Sequence, residues 1–172
     1  MAGRVAACHP AVAWWCPQLP PSPKAAMELI DAGVAGWPEG TMAVIGSSLG
    51  GFYATAVANK RDGCKAVLLN PAVYPARDLA KYIGEQTVWH DPGEHFFFEA
   101  RFVDELRALQ AGPLARPQGI LAIIAKGDEV LDWRDMAARY AGAQQQLLDG
   151  GDHALSDFAA QLPCILEFLV LA

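Results

Sequence analysis

A serine at a glycine-rich turn is the strongest chemical signal in the sequence. Ser48 is the central residue of segment 46–50, which fits the pattern G-x-S-x-G and follows an apolar run. In that pattern the serine lies on a tight turn between a strand and a helix, which exposes its hydroxyl group as a nucleophile. We expect the glycines at the two ends of the pattern to let neighbouring backbones pass without Cβ clashes. Ser48 is therefore the predicted nucleophile, and Ser47 is its variable neighbour.

The same turn could instead bind phosphate without any catalysis. It lacks the Gly-Lys-Ser/Thr ending of a P-loop, and the dinucleotide pattern G-x-G-x-x-G is absent there. The chain has only four serines, and two of them are adjacent at this turn. The nucleophile interpretation is therefore favoured over the phosphate loop.

A serine hydroxyl needs a general base, and the base needs an acid that orients it. On a strand–turn–helix nucleophile these partners follow in the order acid, then histidine. His153 lies in "LLDGGDHALSDF", after the last predicted strand, and is the predicted base, although it could also be a helix cap or a surface residue. The acid should follow the fourth strand, where "AKGDEVLDW" offers three carboxylates. Asp128 is the first choice, whereas Asp132 suits a helix N-cap and Glu129 a solvated position.

Further groups around the turn have weaker signals. The N–H of Leu49, at the start of the next helix, is the predicted oxyanion donor. Phe96, Phe97 and Phe98 are either core or lid packing, or the wall of a substrate pocket. His90 and His95 lie close to two carboxylates, Asp91 and Glu94, but their spacing across a Pro-Gly turn does not favour a metal site. We therefore predict no metal and no organic cofactor.

Alternating apolar runs and helical patterns must position these residues. The predicted strands are 11–16, 41–46, 65–70, 119–125 and 144–149, and the predicted helices are 23–32, 50–60, 77–83, 100–110, 133–141 and 155–170. Such alternation predicts a single α/β domain over 1–172, with a mostly parallel sheet flanked by helices. Residues 84–99 break the alternation and indicate an insertion or lid, within about 75–117.

Composition narrows the class of protein. The chain has 172 residues and a net charge of −6, which argues against nucleic acid as a partner. No apolar run approaches the roughly 20 residues that span a bilayer, so we expect no membrane association. The residues before Cys8 are too few for the apolar region of a secretion signal. Four cysteines without C-x-x-C spacing indicate free thiols and a cytoplasmic protein.

Several segments together resemble one known family. "CPQLPPSP", "VIGSSLGGFYAT", "LLNPAV", "KGDEVLDWRDMAARY" and "DGGDHALSDF" resemble the YqiA-type esterases, which are small bacterial α/β-hydrolases. The resemblance begins near Trp15 and covers most of the chain beyond it. It implies the α/β-hydrolase fold and hydrolysis of small acyl esters, with thioesters as an alternative. It also implies that Ser48, Asp128 and His153 form the catalytic triad.

The chain departs from that family at its start. Members begin with a strand that ends in His-Gly-Phe, and this chain has no such segment. The resemblance implies that the first strand is missing between strands 11–16 and 41–46, together with the loop that supplies a second oxyanion N–H. An unpaired strand edge invites pairing with another chain. The alternative to an active esterase is therefore a catalytically weak remnant that associates through this edge, for example as a homo-oligomer.

Overall fold

Four parallel strands form the central sheet of the computed structural model, which describes residues 1–88 and 91–171. The strands of this sheet are β1 (Ala43–Ser47), β2 (Lys65–Leu69), β5 (Ile120–Ala125) and β6 (Gln144–Leu148). They lie in the order β1-β2-β5-β6. A separate antiparallel hairpin consists of β3 (Gly84–Val88) and β4 (Asp91–Phe98). The predicted mostly parallel sheet is thus confirmed, and the predicted insertion contains a β-hairpin.

Helices connect the strands and cover both faces of the sheet. They are α1 (Ala2–Cys8), α2 (Pro23–Gly33), α3 (Leu49–Lys60), α4 (Pro75–Leu79), α5 (Ala100–Leu109), α6 (Trp133–Arg139) and α7 (Phe158–Leu169). Helix α2 begins where the sequence predicts, because the Ser22 hydroxyl accepts the Ala25 N–H at 3.2 Å and Pro23 occupies the first turn. Pro163 lies within α7 and does not end it. In the described ranges, no helix has the length and apolar composition that a bilayer crossing needs.

The two central strands are apolar on both faces, and this places them in the middle of the sheet. Every residue of β5 is buried. Ile120, Ala122 and Ile124 face one apolar cluster, which includes residues of α2, α3, α5 and α6. Leu121 and Ile123 alternate with them and face a second cluster, which includes Ile165 of α7. The sheet is therefore a buried layer between two sets of helices, and in such sheets ligand sites lie at the carboxyl ends of the strands.

The prediction of a strand at residues 11–16 is wrong. This segment has no regular secondary structure, and β1 is the edge strand of the sheet within the described residues. Trp15 packs against Gly33 of α2, where a Cβ atom would collide with the indole ring. An isolated strand has no partner for its backbone hydrogen bonds, and apart from this contact of Trp15 the segment is open to solvent, with Val12 39% and Trp14 43% exposed.

Candidate active site

Ser48 occupies the turn between β1 and α3, as the sequence predicts. Its backbone has φ 52° and ψ −121°, a left-handed conformation that is uncommon for a residue with a side chain. The Ser48 N–H donates to the Leu69 carbonyl at 2.9 Å, and its carbonyl accepts the N–H groups of Gly51 and Ala72, each at 2.9 Å. The strained turn is therefore held from both sides by the end of β2 and by the first turn of α3.

Two glycines make room for this turn, and only one of them, Gly46, is an end of the sequence pattern. A Cβ atom on Gly46 would collide with the Gly50 carbonyl group. On Gly51 it would lie 2.7 Å from the Pro71 Cβ atom. Gly50 itself has open space where its Cβ would be, so the expectation of steric clearance at this position is wrong. Strand β1 therefore lies very close to α3 at Gly46, and α3 lies very close to Pro71 at Gly51.

His153 lies in the loop after β6. Its Nε2 atom is 3.0 Å from the Ser48 Oγ atom, and its side chain is 22% exposed. The loop begins with Gly150 and Gly151, which have φ values of 102° and 79°. Residues without a side chain adopt this conformation most readily. A Cβ on Gly127 would collide with the Gly151 carbonyl, so the loops after β5 and β6 are in close contact.

Asp128 follows β5 and is hydrogen-bonded to the other side of the histidine ring. Its Oδ2 atom is 2.8 Å from His153 Nδ1, and its carboxylate is fully buried. The Oδ1 atom accepts the N–H groups of Val130 and Leu131, each at 2.8 Å. These donors compensate for removing the carboxylate from water. The structure thus brings together Ser48, His153 and Asp128 in one hydrogen-bonded row.

The other two carboxylates after β5 have different positions. Asp132 is the N-cap of α6, as predicted, and its Oδ1 atom accepts the Arg134 N–H at 2.9 Å. Glu129 is exposed, yet its Oε2 atom accepts the backbone N–H of His153 at 3.0 Å. The sequence suggests only a solvated Glu129, because a contact with a residue 24 positions away has no local pattern.

Two further residues around the histidine matter for the electrostatics and the geometry. Hydrogen bonds from the side chain and backbone of Ser156 hold the pKa of Asp152 below its usual range, so a carboxylate precedes the histidine. Asn70, directly after β2, is completely buried and donates to the carbonyls of Asp152 and His153. Both residues lie in segments that resemble the family, "LLNPAV" and "DGGDHALSDF", but no catalytic pattern assigns a role to either of them. Only the position of Asn70 at the carboxyl end of a strand could have drawn attention to it.

Leu49 is the first residue of α3, so its N–H belongs to the helix turn that lacks intrahelical acceptors. The aromatic run in the hairpin is divided by strand alternation. Phe98 is buried against the core and Phe102, Phe96 is partly buried, and Phe97 is 61% exposed. Phe98 therefore contributes to the core, and Phe97 is open to solvent.

The possible metal ligands fall partly outside the described residues. His90 lies outside them, as do the side chains of Asp91 and Glu94, whereas His95 is exposed. Where side chains are described, no group of three His, Cys, Asp or Glu residues is arranged to hold a metal ion. The described cysteines are all free.

A large apolar groove lies beside β1. It has a volume of about 650 Å³ and is lined by segment 11–17, α2, β1 and α3, with residues from both termini. We call it the edge groove. Its lining includes Gly50, two residues beyond Ser48. Burial raises the pKa of Tyr53, which lines this groove, well above its usual value.

Several solved structures with a similar fold are hydrolases or esterases by their names. An esterase domain from a Rhodothermus marinus protein is 26% identical, with a TM-score of 0.57 over 81% of this chain and 65% of that chain. A monoacylglycerol lipase from Paleococcus ferrophilus is 18% identical, with a TM-score of 0.63 over 87% and 75%. The α/β hydrolase domain-containing protein 10 from mouse is 16% identical, with a TM-score of 0.63 over 87% and 69%.

The family comparison covers nearly the whole chain. The model of an uncharacterised protein family, UPF0227, matches residues 1–170. This match extends further toward the N-terminus than the resemblance that begins near Trp15. The sheet order, the strand–turn–helix at Ser48 and the low-identity structural neighbours agree with it. The chain therefore belongs to UPF0227, the family of YqiA-like esterases, and has the α/β-hydrolase fold.

Proposed function

We propose that the chain is a serine carboxylesterase that hydrolyses small acyl esters. Ser48 is the nucleophile, His153 the general base and Asp128 the group that orients the imidazole. The observation that carries this proposal is the hydrogen-bonded row in which His153 lies 3.0 Å from the Ser48 hydroxyl and 2.8 Å from the Asp128 carboxylate. Since Nδ1 faces a carboxylate, it holds the proton, and Nε2 is free to accept the hydroxyl proton.

The reaction proceeds in two acyl transfers. Ser48 Oγ attacks the ester carbonyl carbon while its proton passes to His153 Nε2. The tetrahedral adduct collapses, the C–O bond to the alcohol breaks, and His153 returns the proton to the leaving alcohol. Water then attacks the acyl-enzyme with the same base, which releases the acid and restores Ser48. No cofactor takes part in either step.

The Leu49 N–H is the oxyanion donor that we assign. It follows the nucleophile directly and lies at the start of α3, where backbone N–H groups and the helix dipole favour negative charge. A backbone N–H in this place would donate to the carbonyl oxygen as it becomes anionic. A fixed donor of this kind contributes about 10²–10³ in rate.

The acyl or alcohol part of the substrate would contact the segment 75–117, which we propose as a lid. Its hairpin presents the exposed Phe97 and the partly buried Phe96. Thioesters are an alternative substrate class, because the same attack and the same oxyanion apply to them. Matched esters and thioesters of one acid, compared by kcat/KM, decide between the two.

A fluorophosphonate probe tests the nucleophile directly. We expect the wild-type protein to form a covalent adduct at Ser48 and Ser48→Ala to form none. Ser47→Ala is the matched control, because Ser47 is the adjacent, exposed serine and makes no contact with His153 in the proposed row. Equal labelling of Ser48→Ala and wild type would refute the proposal. The site of the adduct is read by peptide mass spectrometry.

We propose one catalytic domain over 1–172, because a single parallel sheet carries all three site residues at its carboxyl ends. A cytoplasmic location agrees with four unpaired cysteines, which suit a reducing compartment.

We infer a second candidate function, association through the edge of β1, from the backbone of that strand. Met42 and Ser48 form hydrogen bonds with β2. Alternate residues of a strand face the same neighbour, so Ala43, Ile45 and Ser47 direct their N–H and C=O groups toward the edge groove. An unpaired edge beside an apolar groove suits pairing with another copy of the chain.

Light scattering and ester turnover separate the two candidates. Association predicts concentration-dependent oligomers and negligible turnover of an activated ester. Ile45→Lys places a charge in the edge groove and would then produce monomers. A monomeric wild type that shows a burst of alcohol release would exclude association as the function.

A further inference from the structure

We propose that Asn70 is a positioning residue for the catalytic histidine. Its buried side chain fixes the loop that carries His153 to the strand that leads to Asp128. This inference rests on the serine esterase function proposed above and goes beyond it, since Asn70 touches no reacting atom.

The Asn70 amide uses both of its N–H groups and its oxygen in hydrogen bonds between different loops. Nδ2 donates to the carbonyls of Asp152 at 2.9 Å and His153 at 3.1 Å. Oδ1 accepts the backbone N–H of Ala125, at the end of β5, at 2.8 Å. The residue has no exposed surface. Water therefore cannot replace these bonds when the amide is removed.

Asn70 is also linked to Asp128 and Ser48, each through the backbone of one intervening residue. The carbonyl of Ala125 accepts the N–H of Asp128 at 3.2 Å. The backbone N–H of Ala125 is thus bound by the Asn70 side chain and its C=O by the Asp128 backbone. On the other side, the carbonyl of Leu69, which precedes Asn70, accepts the N–H of Ser48 at 2.9 Å. Asn70 thus lies next to the backbone hydrogen bonds of Ser48 and Asp128, and its side chain binds the loop that carries His153.

The residue type fits this place for two physical reasons. Asn70 has φ 41°, and asparagine adopts the left-handed region more readily than most residues with a side chain. Its two partners in the histidine loop are carbonyl oxygens, so the site needs a donor there and an acceptor toward Ala125. A side-chain amide supplies both, whereas a carboxylate of the same shape supplies only the acceptor.

Glu129 holds the opposite side of the His153 main chain but from an exposed position. It accepts the His153 N–H at 3.0 Å. Water can take over this acceptor role, because the side chain is exposed. The buried amide of Asn70 is therefore the support that the loop cannot replace.

Asn70→Asp tests the inference with the smallest change of shape. It keeps the acceptor for Ala125 and the tolerance of positive φ, but it turns a carboxylate oxygen toward two carbonyls. Gln161→Glu is the matched control, because Gln161 is also a buried amide, and its partners Gln146 and Asp157 are side chains outside the row. Circular dichroism establishes that each variant is folded.

We expect Asn70→Asp to lower kcat and the rate of fluorophosphonate labelling at Ser48 about 10²-fold, the cost of a displacement of about 1 Å. KM should stay within a few-fold, since no substrate contact is lost. The low-field proton NMR signal of the His153–Asp128 hydrogen bond should broaden or disappear. Gln161→Glu should keep both the labelling rate and this signal, although it is less stable.

The outcomes separate this inference from the proposed function. If wild type forms no Ser48 adduct, the esterase function fails whatever Asn70 does. If wild type is labelled and folded Asn70→Asp keeps the wild-type rate and NMR signal, the positioning role is overturned. Should Asn70→Asp unfold, Asn70→Gly accepts the positive φ without any side chain, and the same measurements apply to it. An equal loss of rate in Gln161→Glu would show a general effect of stability and would also overturn the inference.

Discussion

His153 Nε2 lies 3.0 Å from Ser48 Oγ, although 105 positions separate the two residues in the chain. They follow β6 and β1, which are the two outer strands of the central sheet in the described residues. Neighbouring strands lie about 4.8 Å apart, so three such spacings separate β1 from β6. The loop after β6 must therefore extend over the ends of β5 and β2. Asp128 and Asn70, which follow those two strands, bind that loop on its way.

Asp128→Asn should lower kcat by about 10⁴-fold with little loss of stability. The asparagine amide would donate toward His153 Nδ1 and favour the tautomer whose Nε2 holds a proton, which cannot accept the Ser48 proton. The Oδ1 atom would still accept the N–H groups of Val130 and Leu131. Steady-state hydrolysis of an activated ester measures the effect. Asp132→Asn is the control, because asparagine caps α6 as well as aspartate does.

Gly46→Ala and Gly50→Ala should differ sharply, although both glycines belong to the same sequence pattern. The new methyl group at Gly46 would collide with the Gly50 carbonyl and should destabilise the protein by about 1–3 kcal/mol. At Gly50 it would enter open space in the first turn of α3, where alanine is at least as favourable as glycine. Urea unfolding compares the two variants. Equal losses of stability would contradict the close packing of β1 against α3.

Cys64 should resist thiol reagents that modify Cys8 and Cys16. Burial raises the pKa of the Cys64 thiol to about 11, whereas the other two cysteines are exposed. The thiolate is the reactive form, so Cys64 is almost entirely protonated at pH 8. Iodoacetamide treatment followed by peptide mapping checks this, and the unfolded protein is the control in which all four cysteines react. Modification of native Cys64 as fast as Cys8 would contradict its burial.

The same thiol should make stability depend on alkaline pH. The folded state keeps the Cys64 proton up to about pH 11, whereas the unfolded thiol loses it near the ordinary value of 9.0. Between these values the unfolded state binds fewer protons, so the free energy of unfolding falls as the pH rises. Cys64→Ala should remove this part of the decline in urea unfolding experiments between pH 8 and 11. An unchanged slope would argue against a raised Cys64 pKa.

Phe98→Ala should cost about 3–5 kcal/mol of stability, because it empties a buried aromatic site. Phe98 is 7% exposed, and its ring makes an edge-on contact with Phe102 at a centroid distance of 5.5 Å. Phe97→Ala is the matched change on the opposite face of β4. Since Phe97 is 61% exposed, its loss should change stability by no more than about 0.5 kcal/mol. Comparable losses in urea unfolding would mean that Phe97 also packs in the core.

Local patterns in the sequence predict most of the sheet correctly. The continuous apolar run at 119–125 corresponds to β5, whose residues are all buried, and the N-cap at Ser22 begins α2. The apolar segment 11–16 has the same local character but no strand partner, so the prediction fails there. Periodicity reports how a segment can be buried. It does not report whether another strand lies beside it.

The sequence by itself determined the types and order of the three chemical groups, because strand–helix alternation places Ser48, Asp128 and His153 after the strands of one parallel sheet. Parallel strands end at the same edge, so these residues had to approach one another. Only the tertiary structure decided what holds them there. The contacts of Asn70 and Glu129 with the histidine loop, and of Gly51 with Pro71, join distant parts of the chain. Such contacts depend on packing distances of tenths of an ångström, and no local pattern encodes them.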